Sequence, residues 1–571
     1  MKTRAKTVLL LVAAALACAE KSVFAARVVD ADIVIYGSSP AAISAAVQAK
    51  RMGKSTVVVS PETRIGGLTT GGLGATDIGN KSAFGGLALK FYKDVADYYK
   101  DAANWKYEKP SDWIRATRSG EVPDGQDLAS LGEDSMWTFE PHAALDILER
   151  WERKNRLRIF RGEFLDREKG VRKENGRIVS ISTLSGKCFR GCMFVDATYE
   201  GDLMAAAGVS YTVGREANSV YGETISGVER ALAKEHQFNK GVSAYVKPGD
   251  PSSGLLPFVA PDTDAPDGAG DRRVQAYCFR MCLTDDPSNR IPFKKPDGYN
   301  PLDYELLLRN FEAIDHKVFA DADGWKAHMP WINSRMPNRK TDTNNRTGFS
   351  TDFIGQNWAW PEASYEERAK MLRAHLKYQM GLMWTLANHP RVPEPIRREI
   401  SRWGTCKDEF TDGLGLGWQS QLYVREGRRM VGEYVATEQD VLRKRKATRP
   451  IAMAAYGMDS HHVRRYVDAE GFVRNEGDVQ DWRSGGKPYP IDYGVITPKR
   501  QECENLFVPV CVSASHVAFG SIRMEPVFFA LGQAAGAAAA LSIDAGCAVQ
   551  DLEYARLREA LLSWGQVVDA E

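Results

Sequence analysis

Residues Ala31–Gly67 read ADIVIYGSSPAAISAAVQAKRMGKSTVVVSPETRIGG. Ala31 to Tyr36 is a short apolar run with β-branched residues, the pattern of a buried strand. Gly37, two serines and Pro40 follow. Ala41 to Met52 is alanine-rich with apolar residues at helical spacing, Gly53 ends it, and Ser55 to Val59 is a second β-branched run. Strand, turn, helix and strand within about 30 residues is the size of a dinucleotide-binding βαβ unit. Ser39 suits an N-cap and Pro40 the first helical position. Such a helix start turns unpaired N–H groups and the positive dipole end toward a ligand. The fingerprint G-x-G-x-x-G runs here as Gly37-Ser38-Ser39-Pro40-Ala41-Ala42, with the first glycine kept and serine in place of the second. The ribose-binding acid expected at the end of the second strand falls on Ser60, and Glu62 is the nearest carboxylate. An ordinary α/β core unit is the alternative for this stretch alone.

Outward from this unit, composition bounds the rest. The chain has 571 residues, 43% hydrophobic and 26% charged, enough for a large core and two or more domains. The net charge of +1, without basic stripe or acidic tail, argues against a nucleic-acid partner. Mean hydropathy is −0.36, and no apolar run beyond the N-terminus approaches the ~20 residues of a membrane span. Residues 1–25 carry the marks of an export signal. Lys2, Arg4 and Lys6 precede an apolar stretch, Val8 to Ala17, and Val23-Phe24-Ala25 offers a cleavage site. Ala15-Leu16-Ala17-Cys18 resembles a lipoprotein box, so lipidation at Cys18 is a second expectation. The mature protein is expected outside the cytoplasm, periplasmic or secreted.

Cys188 with Cys192, and Cys278 with Cys282, invite pairing by spacing. Both pairs lie in strand-like runs, Lys187–Val195 and Val274–Leu283, where four residues cover ~13 Å, too far for a disulfide. Free thiols are expected, and the absence of C-x-x-C argues against a dithiol redox centre. No metal site is expected.

A glycine-rich loop, Gly66-Gly67-Leu68-Thr69-Thr70-Gly71-Gly72-Leu73-Gly74, follows the second strand and would let backbone approach a ligand. Phe84 to Lys100 reads as a helix, Ser111 to Leu131 as polar loop, and Pro141 to about Arg153 as a helix. Leu157–Phe164 and Val171–Leu184 read as strands, the second broken at Glu174-Asn175-Gly176. Cys188 to Val195 runs as one strand into Asp196-Ala197-Thr198-Tyr199-Glu200-Gly201-Asp202 and a helix from Leu203 to Ala207, repeating the geometry of the first turn. From Gly214 the chain is rich in Gly, Pro and Asp, then helical over 301–330. Arg335 to Phe353 reads as an Asn-rich loop, and Tyr365–Asn388 and Gln419–Leu442 as helices. Asn505 to Val512 is a strand, Ser513 to Gly520 a small-residue turn, and Pro526 opens a helix through Gly532 and Gly536. The fold class is therefore α/β. A nucleotide-binding domain is split between 30–213 and 496–571, and an α+β substrate domain, 214–495, is inserted between its parts.

In this order the motifs resemble the FAD-dependent oxidoreductase family of the glutathione-reductase-like flavoprotein class. They are Gly37-x-x-Pro40-Ala41, the Gly66–Gly72 loop, Asp196–Asp202, Ser513–Met524 with its His516 and Arg523, and Leu531–Gly536. Tyr277–Cys282 and Tyr423–Met430 match as well. Exported members of the family often carry the label xanthan lyase, which their motifs do not explain. The resemblance implies a Rossmann-like FAD-binding domain and FAD as cofactor. By it Gly37, Ser38, Ser39, Pro40 and Ala41 would hold the pyrophosphate. Ser60 stands where the family has glutamate, with Glu62 or a bridging water as the substitute on the ribose. Gly66, Gly67 and Thr70 would lie along the flavin side, Asp196 to Gly201 would form the second contact, and the helix of Gly532 would point its N-terminus at the flavin pyrimidine. The disulfide-reductase branch is disfavoured, because no cysteine pair follows the first glycine-rich region.

Oxidising a C–H bond by flavin needs a base for the departing proton. His516 is the first candidate, His461 with His462 the second, and Arg523 a candidate for stabilising an oxyanion or anionic flavin. Structural roles are the alternative for each. Arg280, Arg425 and Arg428 could bind a carboxylate or polyol, or be ion-paired. Trp325, Trp331, Trp358, Trp360, Trp384, Trp403 and Trp418 could stack on sugar rings or belong to the core. A small molecule or sugar hydroxyl is the expected substrate, and the electron acceptor is left open. A polysaccharide lyase or a glycan-binding protein on the same fold is the competing class.

Overall fold

The computed structural model describes residues 28–118, 134–263 and 265–569. The expected export signal and Cys18 lie outside the described residues, as does most of the stretch read as loop from Ser111 to Leu131. The first residues of that stretch close a helix, Pro110–Arg118, because Trp113 inserts into the core at 1% exposure.

The opening stretch folds as its pattern predicts. Strand β1 (Ile33–Tyr36), helix α1 (Pro40–Arg51) and strand β2 (Thr56–Ser60) form a unit in which β1 and β2 pair in parallel. Both strands are buried throughout, which is why they read as continuous apolar runs. β3 (Arg158–Arg161) pairs with β2, β4 (Met193–Asp196) with β1, and β5 (Leu506–Phe507) with β4. The result is a parallel sheet of order β5-β4-β1-β2-β3, to which both ends of the chain contribute. Of the strand read from Asn505 to Val512 only two residues stay in the ladder. Beyond it Val508 N–H turns to the Ile496 carbonyl, and the Cys511 carbonyl accepts from Met430.

Helices α2 (Gly86–Lys100), α3 (Pro141–Asn155), α4 (Asp202–Ala206), α5 (His516–Ile522) and α6 (Glu525–Ala545) follow in the chain. α6 crosses α1 in backbone contact. A Cβ on Gly532 would lie 2.5 Å from Ala41 Cα, and one on Gly536 2.9 Å from Ala45 Cα. Phe529 of α6 stacks on Phe91 of α2 at 5.0 Å and meets Trp151 of α3 edge-on. α6 has the length and apolarity of a membrane span, contrary to the reading that no such run follows the N-terminus, and the fold buries it. The turn expected from Ser513 to Gly520 gives way at His516 to α5, because the Ser515 hydroxyl accepts from Ala518 N–H and caps a first turn.

A second sheet is ordered Val28–Asp30, Cys188–Arg190, Arg177–Ser182, Val171–Glu174. Cys188–Arg190 and β4 therefore belong to different sheets, and the single strand read over Cys188–Val195 breaks at Gly191-Cys192. An antiparallel sheet carries the middle of the chain, in the order Arg290–Pro292, Gly404–Cys406, Met281–Thr284, Lys340–Asn345, Trp331–Met336. Its last two strands replace part of the loop expected from Arg335 to Phe353. Asn338 and Arg339, at φ 61° and 56°, turn the hairpin, and its polar residues Thr341, Asp342 and Thr343 are buried. Cys282 and Cys406 face each other there as thiols, Sγ to Sγ 3.9 Å.

The helix read over Gln419–Leu442 is a correction. That segment is extended, with a strand at Arg428–Met430 and a short helix only at Glu438–Val441. The charges that suggested a solvated helix face are buried and paired with distant groups: Arg425 with Asp352, Arg429 with Glu216, Arg428 with Asp202. Tyr365–Asn388 is a helix as read, opened by a capping box of Ser364 and Glu367.

Candidate active site

The dinucleotide turn packs tightly at its first residue. Gly37 has φ +114°, and a Cβ there would lie 2.6 Å from the Ala197 carbonyl carbon at the end of β4. Only glycine fits this position. Ser39 replaces the second glycine and sends its hydroxyl 2.7 Å to the Ala197 carbonyl oxygen. Pro40 and Ala41 open α1, where the first N–H groups have no intrahelical acceptor.

Ser38 and Ser60 act together on Glu62. The Ser38 hydroxyl donates to Glu62 Oε2 at 3.0 Å, while Ser60 Oγ donates to the Glu62 carbonyl at 2.8 Å and accepts its N–H at 3.1 Å. A carboxylate two residues beyond the strand end is thus folded back onto the turn. Burial and the nearby Glu200 carboxylate push the Glu62 acid up to about 7.

The glycine loop links this turn to a cavity. Gly66, at φ +92°, donates its N–H to the Ser38 carbonyl at 2.6 Å, and Gly67 lies against the Tyr199 ring. Thr70 Oγ1 is engaged by the Ile65 carbonyl at 2.6 Å. Asp196 accepts from Thr198 and from Met204 N–H, holding the turn from β4 into α4, and Gly201 caps α4 at φ +68°. From this second turn it is Tyr199 that reaches the loop. Its hydroxyl accepts Leu68 N–H at 2.9 Å and donates to Glu525 Oε1 at 3.0 Å, and Glu525 also accepts from Thr69. Glu525 is the first residue of α6, and burial lifts it to about 7. Gly532 was expected on the cofactor, and its contact is with α1.

Leu68, Tyr199, Tyr423, Phe519, Phe528 and Arg523 line one tight pocket. A second is lined by His516, Asp459, Ser460 and Val479 among others. His516, Arg523 and His461 converge on this region. His516 Nδ1 lies 2.8 Å from Glu426 Oε2. His516 and Arg429 hold Glu426 down at about 2, so its carboxylate accepts and Nδ1 carries the proton. In a neutral ring with its proton on Nδ1, the acceptor would be Nε2. Gln275 joins the Glu426 carboxylate, at 2.8 Å, to the His461 N–H, at 3.0 Å. His461 Nδ1 bonds Asp352 at 2.7 Å, while burial and the neighbouring Arg425 press the imidazole down to about 4.

Arg523 donates to the Tyr423 hydroxyl at 2.8 Å and to Asp459 Oδ2 at 3.0 Å. Burial lifts Asp459 to about 7 despite that partner. Arg280 forms a bidentate pair with Asp342, Nε to Oδ1 2.7 Å, and Asp342 also accepts Ala75 N–H of the glycine loop. Arg280, Arg425 and Arg428 are therefore ion-paired. His462 Nε2 bonds backbone carbonyls of Glu235 and His236. Glu426, Asp459, Tyr423 and Glu525 were not assigned a role from sequence. Glu426 precedes His516 by 90 residues, and only the matching segment Tyr423–Met430 hinted at it. Among the described residues, one carboxylate–histidine group has a ligand-like spacing, Glu140, His142 and Asp408, and both its carboxylates already lie 2.9 Å from the Lys340 ammonium.

A model of the family described as FAD dependent oxidoreductase matches residues 32–561. The chain belongs to that family. It is an FAD-dependent oxidoreductase, and among solved structures the flavoprotein is similar to three enzymes by partial overlap. L-amino acid deaminase from Proteus vulgaris is 15% identical over 34% of this chain and 54% of that one, TM-score 0.23. L-proline dehydrogenase from P. horikoshii is 14% identical over 33% and 58%, TM-score 0.21. 3-Ketosteroid-Δ4-(5α)-dehydrogenase from Rhodococcus jostii RHA1 is 18% identical over 34% and 50%, TM-score 0.18. The chain spans about half the length of these structures, and overlaps of this size carry no argument about its substrate. No curated relative matches the sequence.

The flavoprotein's own residues fit FAD. Glu62 offers a half-buried carboxylate whose side-chain partners are hydroxyls, suited to accepting from ribose. The start of α1 suits pyrophosphate. Tyr199, Tyr423, Phe519 and Phe528, with Arg523 among them, are the mix of aromatic and cationic groups that a flat heterocycle with a polar rim calls for.

Proposed function

We propose that this flavoprotein works outside the cytoplasm and oxidises a saccharide hydroxyl to a ketone. The observation that carries the reading is the His516–Glu426 pair, whose proton is fixed on Nδ1 beside the cavity shared with Asp459. Bound FAD supplies the hydride acceptor. His516 Nε2 takes the hydroxyl proton while the same carbon gives up its hydride, which leaves the carbonyl. Glu426 stabilises the imidazolium that forms, as a buried carboxylate does for a catalytic histidine. Arg523, held by Tyr423 and Asp459, offers positive charge to the oxygen as it loses its proton. We read 30–213 with 496–571 as a Rossmann-like FAD-binding part, and 214–495 as the insert that covers the substrate. A glycan-binding protein would leave the His516–Glu426 pair without a task, and a lyase would leave the nucleotide turn and the Glu62 carboxylate without one.

The purified protein is expected to be yellow, and a panel of neutral and acidic saccharides is expected to include one that bleaches it without oxygen. A colourless protein that does not take up FAD would sink the oxidation reading. For export, N-terminal sequencing of the protein recovered outside the cytoplasm should begin after Ala25 or at a lipidated Cys18. An intact N-terminus in the cytoplasm would reject export alone.

A further inference from the structure

We propose that Trp482 is the platform on which the substrate ring stacks, at the rim of the cavity that holds His516 and Asp459, and that the substrate is a pyranose-bearing saccharide. This rests on the oxidation reading above and narrows it.

The geometry comes from a two-stranded ribbon. Met458–Asp459 pairs antiparallel with Gln480–Asp481, with Asp459 opposite Gln480. Trp482 is two residues beyond Gln480, so it and Asp459 are diagonal neighbours on one face of the ribbon, roughly 7–8 Å apart. That separation is about the width of one sugar ring. The ribbon is fastened to the helix that begins at His516. Ser521 of α5 donates to the Tyr456 carbonyl at 2.7 Å, and Gly520 of α5 lies against the Asp459 backbone.

The indole is prepared on one side and free on the other. It lies over Gly457, where a Cβ would come within 2.8 Å of indole Cε3, so any larger residue would push the ring away. Tyr456 braces it edge-on, with centroids 4.9 Å apart at 74°. Yet Trp482 remains 50% exposed, while Trp331, Trp360 and Trp418, considered for stacking from sequence, are 5%, 7% and 4% exposed and belong to the core. A braced and exposed indole has no packing task that accounts for its position. A pyranose fits the combination of surfaces. Its C–H face would lie on the aromatic plane, and its edge hydroxyls would point along the ribbon toward Asp459, which lines one pocket with His516.

The test uses the holoenzyme with the saccharide that bleaches wild type fastest. Trp482→Ala is expected to raise KM about tenfold or more, a stacking-sized loss, with kcat within about threefold. Trp482→Phe should restore KM to within about threefold of wild type, and the flavin spectrum and melting temperature should not change in either variant. An unchanged KM in Trp482→Ala would overturn the platform while leaving the oxidation reading in place. So would benzyl alcohol, a flat aromatic alcohol, outcompeting every saccharide as substrate. If no saccharide reduces wild type, the oxidation reading falls and this inference with it.

Discussion

Glu62 answers a question that the opening stretch poses one residue at a time. The strand ends on Ser60, where an acid is expected, and the acid arrives two residues later, folded back by Ser38 and Ser60. Replacing it by Gln should weaken FAD about tenfold, the size of one hydrogen bond to a charged acceptor, read by titrating FAD into apoprotein. Ribose hydroxyls donate best to the ionised carboxylate, which titrates near 7 before FAD binds. FAD affinity should therefore rise with pH up to about 7 and level off above it. A flat profile, or full affinity in Glu62→Gln, would place the ribose elsewhere. Glu525 gives a different pH signature. Its folded-state acid, at about 7, stands above the 4.5 usual for a glutamate, so the fold favours the protonated form. That stabilisation is complete below the unfolded value and is lost as pH rises through about 7. Glu525→Gln keeps an acceptor for Thr69 and has no charge to bury. Its melting temperature should fall less than that of wild type between pH 5 and pH 8. Sequence made Glu62 legible because it is two residues from its expected place. It hid the Glu426–His516 pair, because nothing local relates positions that only the fold joins.

At the scale of elements, the contact of α6 on α1 holds the C-terminal part of the chain to the opening unit. Both helices are alanine-rich, and Gly532 and Gly536 meet Ala41 and Ala45 backbone to backbone. Gly532→Val should destabilise by about 3 kcal/mol or more, since backbone atoms have no room to yield, and should lower the melting temperature by several degrees. Gly546, the left-handed C-cap of the same helix, has open space around it. Gly546→Ala should cost only about 1 kcal/mol from backbone conformation. Equal melting temperatures for the two variants would deny that helix contact its role. The same elements show why some segments were readable. Ile33–Tyr36, Tyr365–Asn388 and the helix after Pro141 carry their own period and caps, so local sequence suffices. Gln419–Leu442 misled because buried arginines at helical spacing look like a solvated face. The difference lies in Asp352, Glu216 and Asp202, which reach them from elsewhere in the chain.

At the scale of the whole molecule, the parallel sheet brings the N-terminal unit and β5 together, and polar groups from the middle of the chain, Glu426 and Asp459, bond His516 and Arg523 of the C-terminal part. Arg280–Asp342 ties the antiparallel sheet to the glycine loop, and Gln275 ties Glu426 to His461. The histidine of α5, its carboxylate partner from the extended segment, and Asp459 from the ribbon therefore meet only in the complete fold. The central claim is that His516 is the base of a flavin-linked oxidation. It is tested most directly by single-turnover reduction of the holoenzyme without oxygen, wild type against His516→Ala, using the best saccharide of the panel. FAD should remain bound in both, and the variant should bleach about 10²–10⁴-fold more slowly, the usual contribution of a positioned general base. Equal rates of bleaching would contradict the account.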